Sequence, residues 1–573
     1  MKAESRPTVA EQIATALKRH GVEIIFAQSL PSAVILACEA TGIRQVAYRQ
    51  ENMGGAMADG YARIAHRVGV VAAQNGPAAS LLVAPLAEAC KASIAVVALV
   101  QDVERAQLDR NAFQEIDHFA LFSGCAKWIR RIITADRVDD YVDAAFVAAG
   151  SGRPGPAVLL LPADLLREPT APSRHARSAA YVSWPIDRPR PADDVIARAA
   201  AMLAGAANPV VVAGGGVLSS GAADALAKLQ DLAAIPVFTT NMGKGAVSER
   251  HALSAGVLAA LTGPRSLGRE TRALLEAADV VLLAGTRTNQ NGTDSWRLLP
   301  AAARVIHIDC DPGEIGRNYE ALRLVGDVRA TLTALCLALE GCDLSARSNA
   351  RTVLEAQIAA AWDRFEAGRS LFTGSNGTPI RPERVMADLQ PLLTPQTIVC
   401  ADASYSSNWI VGQLKSLAAG MRFLTPRGLA GLGWGLPMAI GAKLAAPTCP
   451  VVTLVGDGGF AHAWAEMETL ARSRIAVTVI LLNNGVLGFQ KDAETVKFGS
   501  YTTACRLAPV DHAALARACG LHAVRIEQAG DLTSALRRAL GAPQPWLIEV
   551  MTDPDAHPPL SLYDGTLDRP IEP

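Results

Sequence analysis

One stretch gathers the residues best suited to hold a metal and a phosphate. Residues 450–487 read PVVTLVGDGGFAHAWAEMETLARSRIAVTVILLNNGVL. One apolar run stops at Gly456-Asp457-Gly458-Gly459, and a second, VTVILL, stops at Asn483-Asn484. Asp457 offers a carboxylate, Asn484 an amide oxygen and Val486, two residues on, a backbone carbonyl. Magnesium takes about six oxygens and draws few of them from protein, the rest coming from phosphate and water. The glycines let the backbone approach phosphate oxygens closely, and a helix starting behind them aims N–H groups at the same anion. Gly-Asp-Gly alone would be an ordinary turn. With the double Asn closing the next apolar run it becomes a candidate metal–diphosphate site.

Such residues need strand, tight turn, helix, strand and loop, which is one βαβ unit with its polar residues at the carboxyl ends of parallel strands. The rest of the chain repeats that alternation. The runs VEIIFA, GVVAAQ, AVVALV and AVLLLP come first; PVVVAGGGV, IPVFTT, DVVLLAGT and RVIHIDCD follow; TIVCAD, VVTLVGD, AVTVILLNN and WLIEVMT come last. Helical patterns separate them, so the expected class is α/β, with three doubly wound parallel-sheet domains. The boundaries read as a first domain at 1–168, a Pro/Ser/Arg-rich linker at 169–193, a central Rossmann-like domain at 194–342, a helical linker at 343–378 and a third domain at 379–553. The tail, 554–573, carries five prolines and reads as a disordered or lid-forming segment. Thr8 followed by Glu11 predicts a capped helix over 8–20.

Composition narrows the function classes. A 573-residue chain with net charge −1 has no nucleic-acid footprint in its charge balance. No apolar run approaches the ~20 residues of a spanning helix, and the polar N-terminus is unlike a signal peptide. Ten scattered cysteines without a C-x-x-C pair read as buried thiols of a reducing, cytoplasmic protein.

The Gly-Asp-Gly and Asn-Asn pair, at this spacing, resembles the thiamin-diphosphate signature of the pyruvate decarboxylase and acetolactate synthase superfamily. The resemblance covers about residues 5–555 and is nearest to acetolactate synthase large-subunit-like proteins. It implies a pyrimidine-binding first domain and a diphosphate-binding third domain, with Mg²⁺ held by Asp457, Asn484 and Val486. Gly456, Gly458, Gly459 and Leu487 would complete that turn. The segment 48–63, YRQENMGGAMADGYAR, resembles the family's stretch around its catalytic glutamate, which is Glu51 here. A carboxyl in that role shares a proton with a weakly basic ring nitrogen and so needs its pKa raised by burial. Gln50 stands where the family usually has His.

The same resemblance places the Ala430 carbonyl and the Leu432 N–H on the aminopyrimidine edge, with Leu432 as the wedge that bends the cofactor. Ser404, Tyr405 and Ser406 match diphosphate-contacting positions. Asn111-Ala-Phe-Gln-Glu115 resembles a substrate-channel segment, with Phe113 and Gln114 facing the thiazolium and Gly76-Pro77 beside them. Helical spacing puts Gln490 and Glu494 on one face, where Glu494 reads either as a substrate-side acid or base or as a solvated helix residue.

Two departures bear on substrate. The family's acceptor-selecting Trp is Ala493 here, and the Gln28-Ser-Leu-Pro-Ser32 segment lacks the family's Gly-Gly. In the central domain Gly214-Gly215-Gly216 follows a strand, and Arg287-Thr-Asn-Gln-Asn291 keeps only the first of two arginines that hold FAD in acetolactate synthases. Arg287-x-Asn289 looks closer to oxalyl-CoA decarboxylases and 2-hydroxyacyl-CoA lyases, and Asp309 stands where a ribose would be held. FAD, ADP or CoA, or no ligand, would fit such a domain. The expectation is a Mg²⁺- and thiamin-diphosphate-dependent lyase or carboligase acting on a 2-oxo acid such as pyruvate. An acyl-CoA enzyme of the lyase/decarboxylase type is the alternative, and a non-catalytic binding or regulatory relative the remote one. Because Glu51 and Asp457 lie on separate domains that in the superfamily meet across subunits, at least a homodimer is expected, and a homotetramer as a dimer of dimers.

Overall fold

The computed structural model describes residues 6–170, 177–258, 261–563 and 567. It contains three six-stranded sheets, and every strand pair in them is parallel. The first sheet comprises β1 (Ile24–Ala27), β2 (Arg44–Val46), β3 (Gly69–Ala73), β4 (Val96–Asp102), β5 (Trp128–Arg131) and β6 (Pro156–Pro162), in the order 2-1-3-4-6-5. The central sheet comprises β7 (Pro209–Ala213), β8 (Val237–Thr239), β9 (Ser254–Val257), β10 (Val280–Ala284), β11 (Arg304–Asp309) and β12 (Ala321–Val325), in the order 12-11-10-7-8-9. The third comprises β13 (Ile398–Ala401), β14 (Phe423–Leu424), β15 (Val451–Gly456), β16 (Thr478–Asn483), β17 (His522–Ile526) and β18 (Trp546–Met551), in the order 14-13-15-16-18-17.

Counted within each domain, the first and third sheets have the same strand order, and the central one has the doubly wound dinucleotide order. The expected α/β class with three parallel sheets is therefore what the chain adopts. Central strands such as β4, β6, β7 and β16 are buried along most or all of their length, which is why they read as continuous apolar runs.

The helices cover both faces. Val9–Arg19 opens with the expected capping box: the Thr8 hydroxyl accepts from Glu11 N–H while Glu11 Oε2 accepts from Thr8 N–H at 2.7 Å. Residues 177–186 lie along the first domain, with Val68 N–H donating to Val182 O and the Trp184 indole N–H to Arg67 O, and 188–191 lie against the central one, where Pro189 O accepts from Asp327 N–H. A long helix, Ser345–Thr373, joins the central and third domains. Of the tail, Ser561–Tyr563 forms a short turn of helix; 564–566 and 568–573 lie outside the described residues. All ten cysteines are free, but only Cys38, Cys125, Cys336, Cys400 and Cys505 are fully buried, the other five being half-buried at element ends.

The first and third domains share one core. Its centre is the crossing of helices Glu51–Ala65 and Gly435–Ala445, each following the second strand of its own sheet. Both are rich in Gly and Ala, which lets two helix backbones approach to direct contact.

Candidate active site

The carboxyl ends of β13, β14, β15 and β16 open onto a cleft of about 420 Å³. The candidate cofactor positions of the third domain all line it: Ser404, Tyr405, Ser406, Ala430, Leu432, Gly456, Asp457, Gly458, Gly459, Asn484, Val486 and Leu487. Asp457 begins the helix after β15 and is 6% exposed. Its Oδ2 accepts from Gly485 N–H at 2.8 Å, so the two halves of the βαβ unit are tied at the site. Burial pushes its carboxyl above the usual range, and the Gly485 and Gly458 amides work against that rise. Asn484 Oδ1 accepts from Val486 N–H at 3.2 Å, folding the loop so that the amide and the Val486 carbonyl belong to one turn.

The glycines here have a steric cause. A Cβ on Gly459 would lie 2.3 Å from Asp402 Oδ2, and one on Gly458 2.4 Å from Leu487 Cδ2. This donor set suits a hard cation bridged to phosphate: one carboxylate, one amide oxygen and one carbonyl, beside a backbone with no side chain in the way. Among the described residues there is no cluster of three or more His, Cys, Asp or Glu side chains that could hold a metal.

Two non-glycine residues at the cleft hold positive φ, Ser404 at 64° and Ala430 at 62°. Asp402, which follows β13, explains much of the local order. It is 1% exposed and accepts from Gly433 N–H at 2.9 Å and Trp434 N–H at 3.1 Å, fixing the turn that ends at Leu432. The sequence pattern assigns roles to Ser404, Tyr405 and Ser406 but none to Asp402, whose one local signal is a carboxylate directly after an all-apolar strand.

Glu51, Gly76 and Gln114 do not line this cleft in the same chain. They occupy the equivalent carboxyl edge of the first sheet, after β2, β3 and β4. Glu51 starts its helix and is half-buried. Gln114 packs on Gly76, where a Cβ would lie 2.6 Å from Gln114 O, and its Oε1 accepts from Gln74 Nε2 at 2.8 Å. Gly76 N–H points at His118 Nε2 at 3.3 Å, while His118 Nδ1 meets Asp102 Oδ1 at 3.2 Å. That pairing needs the proton on Nδ1, leaving Nε2 free to accept. His118, fully buried, was not anticipated.

Gln490 and Glu494 lie on one face of helix Gly488–Phe498, joined by a 2.8 Å hydrogen bond. Gln490 lines the cleft; Glu494 does not, and its Oε2 accepts from Thr502 N–H at 2.7 Å. Hydrogen bonds from Gln490 and Thr502 hold its carboxyl below the ordinary range, so it stays ionised.

A second cleft, about 140 Å³, lies at the switch point of the central sheet. Gly215, Gly216, Gly285, Arg287, Asn289 and Asp309 line it, together with Arg153 from the first domain. Arg287 is half-buried, makes no ion pair among the described residues, and has its pKa lowered by burial. Asn289 Oδ1 is occupied by Gly292 N–H at 2.7 Å. Burial pushes Asp309 up to about 6. Asn241, Asn291 and Arg427 line both clefts, so the two share a wall.

Comparison with known proteins agrees with this geometry. Residues 7–121 match the thiamine pyrophosphate enzyme N-terminal TPP-binding domain, 196–335 the central domain and 404–550 the C-terminal TPP-binding domain. The chain is 31% identical to a probable acetolactate synthase large subunit of Methanococcus aeolicus over 570 residues, covering 96% of this chain and 92% of that one. A probable acetolactate synthase large subunit of Methanocaldococcus jannaschii is also 31% identical (98% and 95% covered), and an acetolactate synthase of Mycobacterium bovis 30% (93% and 86%). The chain belongs to the thiamine pyrophosphate enzymes and is an acetolactate synthase-like, thiamin-diphosphate-dependent enzyme.

Proposed function

We propose that this enzyme uses Mg²⁺ with thiamin diphosphate to break and form C–C bonds, with a 2-oxo acid such as pyruvate as donor. The observation that carries this is the single cleft in which the Asp457, Asn484 and Val486 oxygens stand beside Ala430 and Leu432. When bound, thiamin diphosphate supplies an electron sink for the carbon released as a C–C bond breaks. The chain's own part is positioning and proton handling. Asp457, Asn484 and the Val486 carbonyl would hold the metal, Ser404, Tyr405 and Ser406 the diphosphate, and the Ala430 carbonyl and Leu432 amide the pyrimidine edge.

Glu51 would hold and return a proton at the pyrimidine nitrogen. Within one chain it is half-buried on the other thiamin-type domain, so a second copy would have to bring it to this cleft and bury it. The apolar side chains beside these edges support a dimer: Phe113 is 85% exposed and Leu429 55%. Two such dimers would form the homotetramer. A polar Gln490 lines the cleft one turn from the Ala493 position, which favours an acceptor different from that of Trp-bearing acetolactate synthases.

The unpaired Arg287 in the central crevice favours an anionic nucleotide there, whether FAD, ADP or CoA. It also keeps the second reading in view, a 2-hydroxyacyl-CoA lyase or oxalyl-CoA decarboxylase type of enzyme. Purified protein with thiamin diphosphate, Mg²⁺ and a panel of 2-oxo acids and acyl-CoAs, followed by mass spectrometry, separates the two. The absorption spectrum of the same sample reports flavin. Glu51→Gln should bind cofactor without turnover, and Asp457→Ala should lose Mg²⁺-dependent binding. Full activity in either would overturn the proposal.

A further inference from the structure

The first and third domains each carry a buried glutamate whose carboxylate accepts from backbone amides of the other domain. Glu466 opens helix Glu466–Ser473, behind the Asp457 turn, and is fully buried. Its Oε1 accepts from Arg49 N–H at 2.9 Å and Gln50 N–H at 3.2 Å, and its Oε2 from the Thr469 hydroxyl at 2.7 Å. Glu88 lies in helix Val83–Ala92, behind the Gly76 turn, and is 1% exposed. Its Oε1 accepts from Gly428 N–H at 2.6 Å, and its Oε2 from Leu429 N–H at 2.5 Å and Ala430 N–H at 3.3 Å. Arg63, paired with Asp59, stands 3.8 Å from it.

The two contacts are mirror images in the fold. Each glutamate sits in the helical segment after the third strand of its sheet, and each receives the loop that follows the second strand of the other sheet. Those loops have left the ladder, so their amides need another acceptor. A carboxylate is an expensive acceptor in an apolar core, since burial drives both glutamates above the usual range. What it gives is short, charge-assisted bonds that fix a backbone. The fixed backbones are those leading directly into site residues: Gln50 precedes Glu51, and Ala430 lies two residues before Leu432.

We propose that Glu466 and Glu88 are positioning residues for the reaction, Glu466 setting Glu51 through the amides before it and Glu88 setting Ala430 and Leu432. The proposal rests on the roles given to those residues above. It has a structural corollary: the βα connection that carries Asp457 also braces the Glu51 of the same chain, which in the proposed dimer serves the other cleft.

The oxygen usage makes the test asymmetric. Glu466→Gln keeps a carbonyl oxygen for both amides, whereas Glu88→Gln loses one of two acceptors. Deuterium exchange of the 47–52 and 427–432 amides is read by mass spectrometry on the full-length protein, with and without thiamin diphosphate and Mg²⁺. Cofactor affinity and exchange of the cofactor C2 proton are read on the same samples. In Glu466→Ala, 47–52 should exchange at least ~10-fold faster and the C2 proton ~10- to 100-fold slower, with affinity changed less than ~3-fold. Glu466→Gln should recover most of both losses. In Glu88→Ala, 427–432 should exchange faster and affinity fall ~10-fold, and Glu88→Gln should recover little. If an alanine variant does not fold, the Asp variant, which keeps the charge and withdraws the oxygens by one methylene, gives the same readings. Wild-type protection of both segments in folded variants overturns the proposal. If Glu51→Gln leaves C2 exchange unchanged, the reading of Glu51 falls instead, and the amide protection still decides whether the glutamates position these loops.

Discussion

Gly60 and Gly441 meet where the two domain-spanning helices cross. A Cβ on Gly60 would lie 2.2 Å from the Met438 carbonyl oxygen, and one on Gly441 2.0 Å from the Met57 carbonyl oxygen. Each glycine therefore admits the backbone of the other helix, and the contact is nearly reciprocal. Since Glu51 starts one of these helices and the turn ending at Leu432 runs into the other, the crossing sets the spacing of both site edges.

Gly60→Ala or Gly441→Ala should each cost ~3 kcal/mol or more, because the obstructing atoms are backbone and cannot rotate away. The double variant should cost less than the sum, both changes forcing the same separation. Thermal melts decide this, with Gly124→Ala, which meets nothing within 4 Å, as a near-neutral control. A melting temperature within a degree of wild type for either single variant would show that the helices slide at no cost.

Ser404 holds φ 64° and ψ −142°, a region otherwise populated by glycine, at the start of helix Tyr405–Gln413. Such a residue stores ~1–3 kcal/mol, and a glycine would release it while returning ~0.5–1 kcal/mol to the unfolded chain. Ser404→Gly should therefore raise the melting temperature slightly. It should also weaken thiamin-diphosphate binding several-fold if the hydroxyl serves the diphosphate. A lowered melting temperature with unchanged affinity would assign the serine to the fold instead.

What was legible in the chain follows burial. The twelve strands read from apolar runs are the four inner strands of each sheet, and the six not anticipated, β2, β5, β9, β12, β14 and β17, are the two outer ones of each. Inner strands are covered on both faces and must be apolar throughout. Most outer ones are part-exposed, as in Arg44–Val46 and His522–Ile526, or too short to leave a pattern, as in Phe423–Leu424; the buried Ser254–Val257 escaped because its Ser-Ala-Gly sequence carries no apolar run. The cleft residues were legible because Gly-Asp-Gly and Asn-Asn lie within one βαβ unit. Glu88 and Glu466 were not, because their partners lie 340 to 417 residues away and a Glu within a short helix looks solvated. Their only local mark is position: Glu88 sits between Leu86 and Ala89, and Glu466 beside Met467, both on buried faces.

Arg287 brings a charge into the central crevice with no direct ion pair among the described residues, Glu314 and Asp309 acting on it only at a distance and against the repulsion of Arg153. A half-buried cation left so is a cost to the empty protein and an attraction for phosphate. Arg287→Met, which keeps the apolar length, should raise the melting temperature of nucleotide-free protein and weaken nucleotide binding ~10- to 100-fold. Binding of FAD, ADP and CoA by calorimetry checks the second half. Loss of stability without a ligand would mean that the guanidinium supports the fold.

Asp309 ends β11 in the same crevice, 8% exposed, with a carboxyl pushed by burial to about 6 from an ordinary 3.8. The Asp311 amide, donating to its Oδ1 at 2.9 Å, offsets only part of that rise. A raised acid binds its proton more tightly folded than unfolded. Its contribution to stability is thus fully present below about pH 4 and is lost as pH rises through 6. Two units correspond to ~3 kcal/mol, all of it lost by pH 7 and above. Asp309→Asn keeps the acceptor for Asp311 and has no proton to lose. Its melting temperature should therefore stay near wild type at pH 4 and rise above it progressively to pH 7, then run parallel. A ribose hydroxyl donating to Asp309 would favour the ionised form, so nucleotide affinity should increase with pH over the same window in wild type and stay flat in the variant. Parallel melting curves from pH 4 to 8 would show that Asp309 ionises as freely in the folded protein as in the unfolded chain.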